Sequence, residues 1–185
     1  MNRRRILGSA FLCLAGAALA LAGESRRLWI DVPFIPQTKN GCGSAAMAMI
    51  LEYWHSKNPQ SPSNAVDVAK IQGQLYAPEQ KGIPAAAMKR YFEEAGYAAF
   101  AFTGDWNELE RHIRRGRPLI VCLQPNGSHT PLHYVVVVGV DSPEGYLYVN
   151  DPAQQKMLRI SREGFESEWA ATHHWTLLAV PRAAN

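Results

Sequence analysis

The stretch His133-Tyr-Val-Val-Val-Val-Gly139-Val-Asp141 leaves this chain little freedom. Tyr134–Val140 shows no alternation of polar with apolar residues, so it reads as a strand buried on both faces. Further strands are expected over Pro118–Leu123, Gly145–Asn150, Lys156–Ile160 and Trp175–Val180. The turn Asp141-Ser-Pro-Glu-Gly145 should fold two of them into a hairpin.

Upstream the pattern is helical. Leu28–Phe34 is a short extended entry, cut by Pro33 and Pro36. A helix starts at Asn40 or Gly41 and runs to about His55, with Asn40 as N-cap. Ala46, Met49, Ile50, Tyr53 and Trp54 share one face of it, which is expected to be buried. Residues 57–64 form a loop. Ala65–Gln74, Pro84–Ala95 and Trp106–Arg115 read as helices, the last two ended by Gly96 and Gly116. Tyr97–Phe102 reads as a strand, and Ser161 opens a short helix to about Ala170. With helices first and an antiparallel sheet second, the class is α+β.

Residues 1–22 have the form of a secretory signal peptide. Arg3–Arg5 are its basic start, Ile6–Leu21 its apolar run, and Ala20-Leu21-Ala22 a small-x-small cleavage site. Leu12 precedes Cys13 where a lipidation signal needs a small residue. A membrane contact is expected only through an uncleaved signal segment. Residues 23–185 are then one domain, expected as a monomer, exported to the periplasm or the medium of a bacterium. The formal charge of +3 lies wholly in Arg3–Arg5. The remaining chain is close to neutral, which gives nucleic acid no basic patch to bind.

Export leaves Cys42 and Cys122. Cys122 lies in the apolar run Arg-Pro-Leu-Ile-Val-Cys-Leu, where a thiol behaves as a small hydrophobe. Cys42 follows the polar turn Gln37-Thr-Lys-Asn-Gly41 and opens a helix. Unpaired N–H groups and the helix dipole at that position favour a thiolate. A disulfide between the two cysteines is the alternative in an exported protein. No spacing suggests a metal site, and no cofactor is expected.

A nucleophilic cysteine needs a base, and the base an orienter. Of the six histidines, His55 is thirteen residues down the same helix, ~20 Å away. His112 falls on a charged helix, expected to be solvated. His173 and His174 flank the last strand, and His129 is in a polar loop. His133 stands at the mouth of the valine strand and is the best placed. Asp141 ends that strand, ~26 Å away, too far to orient it. If Val140 pairs with Tyr146, Val135 pairs with Asp151, which then shares a face with His133. A slip of one residue would bring Asn150 there instead. Gln37, with the backbone N–H of Cys42, is a natural donor to a developing oxyanion.

Gln37…Cys42-Gly, His133-Tyr-Val-Val-Val-Val-Gly139 and Asn150-Asp151-Pro152 together resemble the papain-like cysteine peptidases that process bacteriocins by removing double-glycine leaders. The likeness runs from about Asp31 to Pro181. It implies a papain-like fold, an N-terminal helical half packed on a C-terminal antiparallel sheet. It also implies Cys42 as nucleophile, His133 as base, Asp151 as orienter and Gln37 as oxyanion donor, and cleavage of a peptide or protein after small residues, typically a glycine pair. Two features depart from the pattern. Gln37 precedes Cys42 by one residue fewer than in many papain-like enzymes. The N-terminal segment points outward, whereas the best-known members face the cytoplasm on an export ATPase. An inactive peptide-binding relative and a disulfide-linked structural module are the competing classes. The loop residues Gly127-Ser128-His129 either line a groove or lie on the surface.

Overall fold

The computed structural model describes residues 27–60, 66–125 and 130–182. The expected signal peptide and the loop residues Gly127, Ser128 and His129 lie outside the described residues. In chain order the elements are β1 (Leu28–Trp29), α1 (Cys42–Lys57), α2 (Val68–Leu75), α3 (Ala85–Glu94), β2 (Tyr97–Thr103), α4 (Trp106–Arg114), β3 (Leu119–Leu123), β4 (His133–Asp141), β5 (Tyr146–Asn150), β6 (Leu158–Ser161), α5 (Arg162–Ala170) and β7 (Trp175–Pro181). The class is α+β, as expected.

Helix starts follow local chemistry. Asp67, Asp105 and Ser161 each accept a hydrogen bond from a backbone N–H three residues on, and α2, α4 and α5 begin directly after them. Pro84 stands just before α3 rather than inside it. Its ψ of 138° is extended, and its carbonyl accepts from the N–H groups of Ala87 and Met88.

All strand pairs are antiparallel, in the order β2-β7-β3-β4-β5-β6, with β1 beside the far end of β4. Helices cover both faces. On one, Met47, Met49 and Ile50 of α1 and Met88 and Phe92 of α3 pack on Val136 and Val138. On the other, Leu109 and Ile113 of α4 and Phe165 and Trp169 of α5 pack on Val121, Val135 and Val137. This double cover is why β4 reads as an unbroken apolar run. Phe92 and Phe165 are fully buried, which stabilises the fold by roughly 1.5–3 kcal/mol each.

The sequence pattern suggested one buried face for α1. Instead every residue from Gly43 to Leu51 is buried. A helix apolar on all sides belongs in the interior. Here the sheet lies on one side of it and the α2–α3 region, including Ile71 and Ile83, on the other. The N-terminal tip of this central helix is therefore held rigidly.

Candidate active site

Cys42 is the first residue of α1, and the N-cap, Gly41, makes no side-chain capping bond. The first-turn N–H groups and the positive end of the dipole thus face the Cys42 region. Asn40 is not the cap that the sequence suggested. It takes the left-handed conformation at φ 56°, and its Nδ2 donates to the Tyr76 hydroxyl at 3.0 Å. Asn tolerates that conformation better than most residues, which lets the chain turn sharply before the helix. The Gly41 N–H closes the turn by donating to the Thr38 carbonyl at 3.0 Å. A Cβ at Gly41 would lie 2.9 Å from Thr38 Oγ1, so the turn that delivers Cys42 has no room for a side chain there.

The opposite wall comes from the β4–β5 hairpin. At its closed end Asp141 pairs with Tyr146, Val140 with Leu147 and Gly139 with Tyr148. This is one residue off the expected register, and continued, it would place Asn150 on the His133 face. A bulge between Val137 and Gly139 removes the slip. Beyond it Val137 pairs with Val149 and Val136 with Asn150, so Asp151 comes level with Val135. The bulge also inverts the alternation. Val136 and Val138 enter one core, whereas Val137 and Val140 enter the other. Gly139 permits this, because a Cβ there would lie 2.8 Å from the Leu28 carbonyl oxygen of β1.

As a result His133 Nε2 lies 2.7 Å from Asp151 Oδ1. The carboxylate is held further by the backbone N–H of Ala153 at 2.9 Å and by Gln154 Nε2 at 2.6 Å. Asn150 is fully buried and occupied elsewhere. Its Nδ2 donates to the Val32 carbonyl, and its Oδ1 accepts from the Met157 N–H. Asn150 therefore tethers the entry segment, and Asp151 meets the imidazole. Gln154 was missed by the sequence reading. An Asp followed by an N–H donor two residues on is an Asx turn, the one local signal that could have pointed to it.

The His133 side chain also hydrogen-bonds the Cys42 thiol. Burial opposes ionisation of Cys42, but bonds from His133 and from the Tyr134 and Gly43 backbones outweigh it, and the thiol sits below its ordinary value. Burial likewise opposes the imidazolium. The Asp151 bond and the Cys42 sulfur overcome it and push His133 up to about 9. Burial also opposes the Asp151 carboxylate, yet His133, Ala153 and Gln154 hold it below the ordinary carboxylate value. All three shifts favour one state, thiolate–imidazolium–carboxylate.

Gln37 lines the same cleft of about 580 Å³ as Cys42, His133 and Asp151. Its backbone N–H donates to the Pro152 carbonyl at 2.9 Å, which ties the turn before Cys42 to the turn after Asp151. Its Oε1 is buried without a hydrogen-bond partner among the described residues. Lys81 and Glu168, which the sequence did not single out, add one charge of each sign to the lining.

The remaining candidates fall away. His112 is half-buried rather than solvated, tilted against Phe102. His174 pairs with Glu166 at 3.1 Å. Cys122 is buried and, like Cys42, carries a free thiol, so the two form no disulfide. Among the described residues no cluster of His, Cys, Asp or Glu could hold a metal ion.

The Peptidase_C39 like family matches residues 29–176, a span that contains Gln37, Cys42, His133 and Asp151. The chain belongs to this family. It is thus a cysteine-type, papain-like peptidase of the bacteriocin-processing kind. Solved structures share the fold at low identity. A C39-like peptidase from Bacillus anthracis matches with a TM-score of 0.67 and 18% identity, over 86% of this chain and 100% of its own. The peptidase domain of Streptococcus ComA, a bifunctional ABC transporter of a quorum-sensing pathway, gives 0.64 and 23%, over 82% and 100%. A double-glycine-motif protease from an AMS/PCAT transporter, solved with its leader peptide, gives 0.61 and 22%, over 83% and 94%. The curated proteins give no match.

Proposed function

We propose that this C39-like peptidase hydrolyses peptide bonds with Cys42 as nucleophile, His133 as base, Asp151 as orienter and Gln37 as oxyanion donor. The observation that carries the reading is the position of His133, bonded to Asp151 at 2.7 Å and hydrogen-bonded to Cys42 as well. The Cys42 thiolate attacks the peptide carbonyl carbon. Negative charge develops on the carbonyl oxygen, and the Gln37 carboxamide and the Cys42 N–H are the donors that stabilise it. The His133 imidazolium protonates the departing amine, leaving a thioester on Cys42. Water, deprotonated by His133, hydrolyses the thioester and restores the pair. Asp151 keeps the ring oriented and its cationic form stable throughout.

The substrate is a peptide or protein cut after a small residue, a preference carried by the family relationship. The double-glycine protease with its leader peptide is the solved neighbour that supports it. The form of residues 1–22 supports action outside the cytoplasm by a processed chain of residues 23–185.

The test is a peptide library incubated with the wild-type protein and with Cys42→Ala. Cleavage by the first alone, with a mass shift on Cys42 from the trapped acyl-enzyme, is expected. Equal behaviour of the two would replace this reading with peptide binding alone.

A further inference from the structure

The cleft extends past His133 to the face of the sheet that α5 covers. There Leu123, Leu158 and Ile160 line it together with Glu168. Phe165 and Trp169 of α5 are fully buried, and the Glu168 carbonyl accepts from the Gln124 N–H at 3.0 Å. These contacts fix the last turn of the helix. Glu168 falls between the two buried aromatics in the chain and is only half-buried.

The Glu168 carboxylate has no hydrogen-bond or ion-pair partner among the described residues, although its neighbours do. Glu166 meets His174 at 3.1 Å, and Asp151 holds His133. The nearby cations are engaged elsewhere. Lys156 bonds Asp31 at 2.6 Å, Arg159 lies over the Tyr146 ring and Arg162 over the Trp106 ring. Lys81 lines the cleft from the segment between α2 and α3, which belongs to the helical layer on the other face of the sheet. A partly buried carboxylate left alone bears a desolvation cost that a bound cation would offset. The walls beside it are apolar. Lysine or arginine suits both features, with its methylene stem on Leu158 and Ile160 and its charged end on Glu168. An apolar side chain leaves the carboxylate unpaired, and an acidic one is repelled by it.

We infer that Glu168 is a specificity-determining residue of the peptidase, selecting a lysine or arginine of the peptide substrate close to the scissile bond. The inference rests on the peptide-hydrolysing reading above and deepens it. The substrate then carries a basic residue near the small one after which it is cut.

Positional scanning tests this. Peptides cut by the wild-type protein are varied one position at a time through Ala, Leu, Glu, Lys and Arg. At one position near the scissile bond, Lys and Arg should exceed Ala by about ten-fold or more in kcat/KM, the scale of one charge-assisted bond. Glu should fall below Ala there, and added salt should shrink the ratio. Glu168→Gln, nearly the same in shape, should bring the Lys-to-Ala ratio close to one. Glu168→Lys should turn the preference to Glu, and it repeats the test should Glu168→Gln fail to fold. Glu163→Gln, an exposed change on the same helix outside the cleft lining, should keep the wild-type ratio. In parallel, Lys and Glu peptides are titrated against Cys42→Ala with and without Glu168→Gln. Cleavage with no basic preference, or a preference unmoved by both Glu168 variants, overturns the role of Glu168 and leaves the peptidase standing. Without any cleavage, tighter binding of Lys peptides that Glu168→Gln abolishes sinks the hydrolytic reading and keeps the subsite. Without cleavage or selective binding, both fall.

Discussion

His133 Nε2 and Asp151 Oδ1 lie 2.7 Å apart although 18 residues separate them, because a bulge in β4 corrects the register of the hairpin that joins them. Asn150, the neighbour that competes for the same role in the sequence, is turned to the Val32 carbonyl and the Met157 N–H. The two residues should therefore separate cleanly under mutation. Asp151→Ala is expected to lower kcat by about 10²-fold or more with a smaller change in KM. Asn150→Ala leaves buried backbone groups unpaired, at about 1–3 kcal/mol each. It should lower the urea midpoint while the folded fraction keeps most of its kcat. Steady-state kinetics and urea unfolding on both variants check this, and the opposite assignment of effects would exchange the roles.

The pH profile of kcat/KM should be a bell. The proposed mechanism needs Cys42 ionised and His133 protonated. Cys42 lies below the ordinary thiol value, so activity should rise on the acid side at a pH lower than a free thiol allows. His133 lies at about 9, so activity should fall as the imidazolium loses its proton near that pH. An alkaline limb near 6.5, the ordinary histidine value, would mean that the ion pair does not form.

Cys42 and Cys122 should differ sharply toward iodoacetamide. Cys42 is partly exposed and its thiol is lowered; Cys122 is buried and raised to about 12. The thiolate is the reactive form, so native protein at neutral pH should take one label, on Cys42, with Cys122 modified only after denaturation. Peptide mapping by mass spectrometry reads the outcome. Labelling that waits for a reductant would indicate a disulfide in solution.

Gly139→Ala tests the link between the bulge and the site. Its Cβ would meet the Leu28 carbonyl oxygen at 2.8 Å and Trp29 Cβ at 3.0 Å, and these backbone-linked groups yield little. A loss of about 1–3 kcal/mol in stability is expected. Activity should fall by more than the unfolded fraction explains, because β1, the bulge and Asp151 shift together. Thermal unfolding and kcat measured on one preparation separate the two effects.

Gln154→Leu removes one charge-assisted bond from Asp151. Without that bond on Oδ2, the carboxylate is free to rotate away from the imidazolium. We expect kcat to drop by roughly tenfold, the scale of one such bond, with the alkaline limb displaced to lower pH. Gln154→Glu, which cannot donate when ionised, should be at least as damaging. A profile identical to wild type in both variants would leave Gln154 as a turn residue only.

The sequence by itself determined whatever neighbours in the chain can encode. Asp67, Asp105 and Ser161 start helices through bonds spanning three residues, and the apolar run through Tyr134–Val140 marks a strand buried on both faces. The position of Cys42 at a helix tip was legible for the same reason. Asn40 was misread as the cap because Asn suits both a cap and a left-handed turn; the choice went to the turn, where its amide reaches Tyr76, 36 residues away. Tertiary structure alone decided the hairpin register, the double cover of the sheet and the burial of α1 on all sides. It also placed Glu168 of α5 with Leu123 of β3 and Leu158 and Ile160 of β6 in one cleft. The physical reason is range. Side-chain periodicity is local, whereas β1 pairs with β4 at Gly139 from more than a hundred residues upstream. No repeating pattern records a contact of that kind.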